Sequence, residues 1–171
     1  MYIATDTTDD GLRRLAQMVA EALQRRQCTL VTAESCTGGW IAKVVTDLSG
    51  SSAWFDAGVV SYSNAAKEAL LGVRRETLER TGAVSEETAL EMVSGALDRF
   101  SAGVAVAVTG IAGPTGGTPE KPVGTVWIGW KRRGAEAGAS ARLFHFGGDR
   151  EAVRRQTVAA ALSGIHQMLT G

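Results

Sequence analysis

Leu30-Val31-Thr32-Ala33-Glu34-Ser35-Cys36-Thr37-Gly38-Gly39-Trp40-Ile41-Ala42 decides the fold. Apolar Leu30-Val31 enters the stretch, and a helical pattern from Trp40 to Val45 leaves it. Between them lie two hydroxyls, a thiol and two glycines. Such a strand-to-helix turn is where an α/β protein can hold a nucleophile or an anion beside free backbone N–H groups.

Upstream, Leu12, Leu15, Ala16, Val19, Ala22 and Leu23 recur at helical spacing, so a helix is expected over about 9–26, behind a flexible arm at 1–8. Gln27 to Thr32 reads as a strand. Downstream of the turn, a helix runs over about 38–48, Ser49-Gly50-Ser51-Ser52 breaks it, and Ala53 to Tyr62 reads as a strand. Ser63 or Asn64 caps a helix that Gly72 ends, and a short helix follows over about 74–80. Ser85-Glu86-Glu87 opens another, with a hydroxyl cap and two acids on the positive end of its dipole. Val104 to Val108 is apolar on both faces, as a covered central strand requires. Strands at about 123–130 and 139–146, joined through Lys131-Arg132-Arg133-Gly134, form a hairpin, and a last helix follows Gly147-Gly148-Asp149. Early alternation with a late hairpin predicts a single three-layer α/β/α domain over residues 9–171, its sheet mixed but largely parallel. Ligands then bind at the carboxyl ends of the strands, where the loops 33–39, 61–67 and 109–117 converge.

Composition narrows the function. The 171 residues are 44% hydrophobic and 21% charged, ordinary values for a globular domain. Lys plus Arg and Asp plus Glu both number 18, so no overall field draws nucleic acid or an anionic membrane surface, and neither is expected as a partner. No apolar run reaches the ~18–20 residues of a membrane span. The acidic, Thr-rich start is unlike a signal peptide, and Cys28 and Cys36 have no zinc or CxxC spacing, so a cytoplasmic location without metal is expected.

Ser35 is the first candidate for chemistry. Ser35 or Thr37 can simply cap the following helix, and residue type alone favours the cap. If Thr37 caps, Ser35 is free to act as a nucleophile, with Gly38 and Gly39 letting N–H groups face an oxyanion or phosphate. The hydrolase elbow G-x-S-x-G is absent. His145, in a strand, and His166, in the last helix, lie outside the loop motifs and read as structural. Lys67 is the better base: near a helix N-terminus its neutral form is favoured, and burial pushes the same way. Tyr62 can relay a proton or orient Lys67. The glycine-rich loop Thr109-Gly110-Ile111-Ala112-Gly113-Pro114-Thr115-Gly116-Gly117 can approach a ligand closely but lacks the P-loop pattern. Arg150, Arg154 and Arg155 begin the last helix, as an anion site or a solvated face. Glu34 as a metal ligand has no companion cluster. Trp40 and Trp54 serve either the core or a contact in an expected homo-oligomer.

Taken together, Ala33-Glu34-Ser35-Cys36-Thr37-Gly38-Gly39, Gly50-Ser51-Ser52-Ala53-Trp54-Phe55, Tyr62-Ser63-Asn64 with Lys67, Gly82-Ala83-Val84-Ser85, the 109–117 loop, Lys121-Pro122-Val123-Gly124-Thr125-Val126 and Gly148-Asp149-Arg150 with Val153-Arg154-Arg155-Gln156 resemble the CinA carboxy-terminal domain family, on the side of its stand-alone nicotinamide-nucleotide amidases. The resemblance implies hydrolysis of the carboxamide of nicotinamide mononucleotide to nicotinate mononucleotide and ammonia, in pyridine nucleotide salvage. It implies Ser35 as nucleophile and Lys67 as general base, with Tyr62 assisting and no cofactor or metal. Thr37, Gly38, Gly39, Asn64, Thr109, Gly110, Gly113 and Gly116 would surround the substrate, and Arg150 or Arg154 would take its phosphate. The pyrophosphatase domain fused to some relatives is not expected. The alternatives are a non-catalytic nucleotide-binding module and a thiol enzyme using Cys36.

Overall fold

The computed structural model describes residues 6–136 and 138–171. Six helices and five strands follow in the order α1 (Asp9–Arg25), β1 (Leu30–Glu34), α2 (Trp40–Thr46), β2 (Phe55–Val60), α3 (Asn64–Leu71), α4 (Arg75–Thr81), α5 (Glu86–Arg99), β3 (Val104–Gly110), β4 (Thr125–Arg132), β5 (Ala139–His145) and α6 (Arg150–Thr170). The strand order is β2-β1-β3-β4-β5. β1 pairs parallel with β2 and β3, whereas β4 runs antiparallel to both β3 and β5. Only β4 therefore opposes the common direction, which is the mixed, largely parallel sheet with a terminal hairpin that the element pattern predicts.

Alternation along the central strands builds a core on each face of the sheet. Val104, Val106 and Val108 join residues of α1, α2 and α6, whereas Ala105 and Ala107 join residues of α3, α4 and α5. The sheet is thus covered on both sides, and β3 is fully buried from Val104 to Val108, as its unbroken apolar run requires. The helix starts follow local chemistry. Ser63 and Ser85 accept from the N–H groups of Ala66 and Thr88, capping α3 and α5 as expected. Thr8 caps α1 through Gly11 N–H, so residues 6–8 of the expected arm form the helix cap. The rest of that arm, 1–5, lies outside the described residues. The strand β4 runs on through Arg132, two residues beyond its expected end, and Lys131 still pairs with Ala139.

Two apolar residues are sorted by packing. Trp54 is 2% exposed and belongs to the core beneath α1 and α2, so it forms no contact surface. Trp40 is half-buried, with the guanidinium carbons of Arg154 and Arg155 each 5.0 Å from its ring centroid. No helix among the described residues is long and apolar enough to cross a membrane.

Candidate active site

The ladder extends just past the strands and fixes the site. Ser35 N–H donates to Val108 O at 3.0 Å, and Ser61 N–H donates to Glu34 O at 2.9 Å. Ser35 is therefore held at the carboxyl edge of β1, between the ends of β2 and β3. This is the edge at which an open α/β sheet receives ligands.

Neither Ser35 nor Thr37 caps α2, contrary to the reading from residue type. The N-cap is Gly39, at φ 95°, without a side-chain bond. The cap comes from Glu34, which is 1% exposed. Its carboxylate accepts from the N–H groups of Ile41 (2.9 Å) and Ala42 (2.8 Å), and from the hydroxyls of Thr37 (2.6 Å) and Thr32 (3.2 Å). A carboxylate on the first turn of a helix is favoured by both the orphan donors and the dipole. These four bonds give Glu34 a structural role in place of metal ligation. They also leave the Ser35 hydroxyl free for chemistry.

Lys67 reaches that hydroxyl from the other loop. Its Nζ lies 3.0 Å from Ser35 Oγ and donates to Ser61 O at 2.8 Å and to Tyr62 O at 3.4 Å. Lys67 is 1% exposed and Ser35 is 8% exposed. No carboxylate forms a salt bridge with Lys67 among the described residues. Burial consequently pushes its pKa down from 10.5 to about 8, against a smaller opposing influence of Cys36. Ser35 and Lys67 meet the distance required of a nucleophile and its base.

The other candidates divide. Tyr62 touches Lys67 through its carbonyl. Tyr62 is 58% exposed, and its phenol accepts from Arg150 at 3.0 Å, so the tyrosine touches Lys67 by its backbone, and no phenol contact with Ser35 or Lys67 is present among the described residues. Asn64 is the exposed first residue of α3. Thr109 is buried and its hydroxyl donates to Ala83 O at 2.7 Å, tying the end of β3 to the α4–α5 loop. Gly110 packs against β4, where an added Cβ would lie 2.6 Å from Val126 Cγ2. Gly113, which precedes a cis proline, and Gly116 take φ values of 82° and 92°. Arg150 donates to Gly113 O at 2.7 Å, so it joins the 113 loop to Tyr62. Arg154 instead donates to Cys36 O (3.1 Å) and Thr37 O (2.8 Å). Arg155 is held by Asp9, Glu151 and Thr7 O, with its guanidinium over Trp40 rather than on the turn's carbonyls.

The remaining nucleophile and bases are disfavoured. Cys36 is 5% exposed, and burial pushes its thiol up to about 12, far from the thiolate that a thiol enzyme needs. His145 ends β5, three strands from β1, or about 14 Å at the usual strand spacing. His166 lies in α6, beside Ser163 and Met18, at a groove between α1 and α6. Within the two loops that carry Ser35 and Lys67, the Glu34 cap and the Ser61 carbonyl that anchors Lys67 escaped the sequence reading. The first had a signal, since Gly38-Gly39 offers α2 no capping side chain. The second, a backbone contact, had none.

Fold and site together define an α/β/α domain with a covered serine–lysine pair at the carboxyl edge of its sheet. Within that class the chain belongs to the CinA C-terminal domain family, whose profile matches residues 12–169. It is 53% identical over 160 residues to the nicotinamide-nucleotide amidohydrolase PncC of Escherichia coli K12, covering 94% of this chain and 96% of that one. To the PncC of Pseudomonas putida it is 51% identical over 165 residues, covering 94% and 99%. The crystal structure of the competence/damage inducible protein CihA from Agrobacterium tumefaciens superposes with a TM-score of 0.89 at 42% identity, over the whole of both chains.

Proposed function

We propose that this chain is an amidohydrolase that converts nicotinamide mononucleotide and water to nicotinate mononucleotide and ammonia, with Ser35 as nucleophile and Lys67 as general base. The observation that carries the mechanism is the 3.0 Å approach of a buried lysine with lowered pKa to a buried serine hydroxyl. The substrate is supported by the near full-length relatives named for that activity.

Neutral Lys67 accepts the Ser35 proton as Oγ bonds to the carboxamide carbon, and the carbonyl electron pair moves onto oxygen. The amide of Thr37, which has no acceptor among the described residues, is a donor available to that oxyanion, and the neighbouring amide of Cys36, which faces its own thiol, can join it. Collapse breaks the C–N bond, and the ammonium of Lys67 returns its proton to the leaving amine. A water then attacks the nicotinyl ester, gives its proton to Lys67, and Oγ departs reprotonated. Arg150, exposed on the rim between Tyr62 and the 113 loop, takes the phosphate. The exposed Tyr62 ring offers a face to the pyridine or ribose.

Ammonia release should be measured from nicotinamide mononucleotide, nicotinamide, the riboside and the dinucleotide. The mononucleotide should be preferred, and Ser35→Ala and Lys67→Ala should fold but release almost no ammonia. Tight binding of the mononucleotide without ammonia would instead identify a binding module. Near-normal turnover by Lys67→Ala would remove the base assignment.

A further inference from the structure

Arg154 approaches the nucleophile turn from the face opposite to Lys67. Arg154 belongs to α6, whose core lies with α1 and α2 on one side of the sheet, and Lys67 belongs to α3, whose core lies on the other. The guanidinium binds two consecutive carbonyls of the turn, Cys36 O and Thr37 O. It also lies over Trp40, and a Cβ on Gly38 would be 3.6 Å from its Nη2. A trans peptide sets its N–H opposite to its C=O, and the Cys36–Thr37 bond is not cis. With Cys36 C=O drawn toward Arg154, the Thr37 N–H must point away from α6, toward the side on which Lys67 meets Ser35 Oγ. The Thr37 side chain is fixed independently, because its hydroxyl donates to the Glu34 carboxylate. The turn is therefore gripped through its acceptors by a cation and through its donors by an anion, and the Thr37 N–H is left without an acceptor among the described residues.

We propose that Arg154 is a positioning residue, which binds the Cys36 and Thr37 carbonyls so that the Thr37 N–H faces the oxyanion formed at Ser35, rather than a ligand of the substrate's phosphate. The proposal rests on Ser35 acting as the nucleophile. Arginine suits the task because its rigid planar fork can serve two carbonyls at once, whereas an ammonium is a point donor.

The test compares wild type with Arg154→Met and Arg154→Lys, each first shown to fold by thermal melting. Two readouts are taken: ammonia release from nicotinamide mononucleotide and its riboside, and acylation of Ser35 by p-nitrophenyl acetate. Losing one oxyanion donor lowers kcat by about 10²–10³-fold, so Arg154→Met should fall in that range for both amides with KM nearly unchanged. Arg154→Lys should recover part of the loss. The pH midpoint of turnover should stay where Lys67 sets it, and Ser35 acylation should slow in parallel. A loss confined to the KM of the mononucleotide would make Arg154 a phosphate ligand and overturn the proposal. So would equal Ser35 acylation rates in variant and wild type. A wild-type protein that is acylated at Ser35 but releases no ammonia would reject the substrate while leaving this test intact.

Discussion

Lys67 places an ammonium-bearing side chain where an ammonium is costly. It is buried, it is the fourth residue of α3, and its polar partners are two carbonyls and a hydroxyl. With its pKa near 8, about a tenth of the protein holds a neutral lysine at pH 7 and about half at pH 8. Because the neutral form is the base, kcat/KM for ammonia release should rise roughly tenfold per pH unit below pH 7 and level off above pH 9. A profile that falls between pH 7 and 9 would overturn the role. Cys36, next to the nucleophile, has the opposite character: its thiol is pushed up to about 12 and is almost fully covered. Cys36→Ala should therefore keep turnover within about threefold, and iodoacetamide at pH 8 should inactivate slowly if at all. Rapid inactivation with one-to-one labelling of Cys36 would revive the thiol mechanism.

At the scale of elements, α2 and α3 are held to the site by different means. Helix α2 has only seven residues and begins on a glycine, so its first turn depends on Glu34. Glu34→Ala would leave one buried and one part-buried N–H group and two hydroxyls without their acceptor, and each buried orphan costs about 1–3 kcal/mol. A loss of more than about 2 kcal/mol in urea unfolding is expected, with Glu34→Gln recovering part of it; a loss under about 0.5 kcal/mol would show that α2 starts unaided. Helix α3 is seated by close approach to α5. A Cβ added at Gly95 would stand 1.7 Å from Leu71 O, backbone against backbone, so no rotamer change can relieve the clash. Gly95→Ala should cost at least about 2 kcal/mol and lower turnover as well, because α3 carries Lys67. Most elements were legible because each is locally consistent: periodic apolar faces, the Ser63 and Ser85 caps, and the covered Val104–Val108 run. The α2 cap was not, because a residue-by-residue scan looks for Ser or Thr at the helix start, whereas the cap comes from a strand residue reaching over the turn.

At the scale of the molecule, the site joins the two outer layers across one edge of the sheet. Ser35 and Lys67 could be paired from sequence, because both leave neighbouring parallel strands. The contacts from α6 could not, since Arg154 reaches Cys36 across 118 positions and Arg150 reaches Tyr62 across 88. Only the closed fold brings them there. That closure buries the Lys67 amine, and the burial must register in overall stability. The unfolded chain holds this proton up to pH 10.5, whereas the native state releases it near pH 8. Between those values the unfolded state binds more protons, so stability due to Lys67 rises with pH. The span of about 2.5 units corresponds to about 3 kcal/mol. Below pH 8 both states are protonated and the native state bears the full cost of the buried charge. Lys67→Met removes the titration and also leaves Ser61 O and Tyr62 O without their donor, an effect that does not vary with pH. The difference in unfolding free energy between wild type and Lys67→Met should therefore be flat from pH 6 to 7.5. It should then move by about 3 kcal/mol in favour of wild type from pH 8 to 10.5. Urea titrations at pH 7, 9 and 10 would measure it, and a difference that stays constant across them would mean that Lys67 is not buried as an uncompensated base.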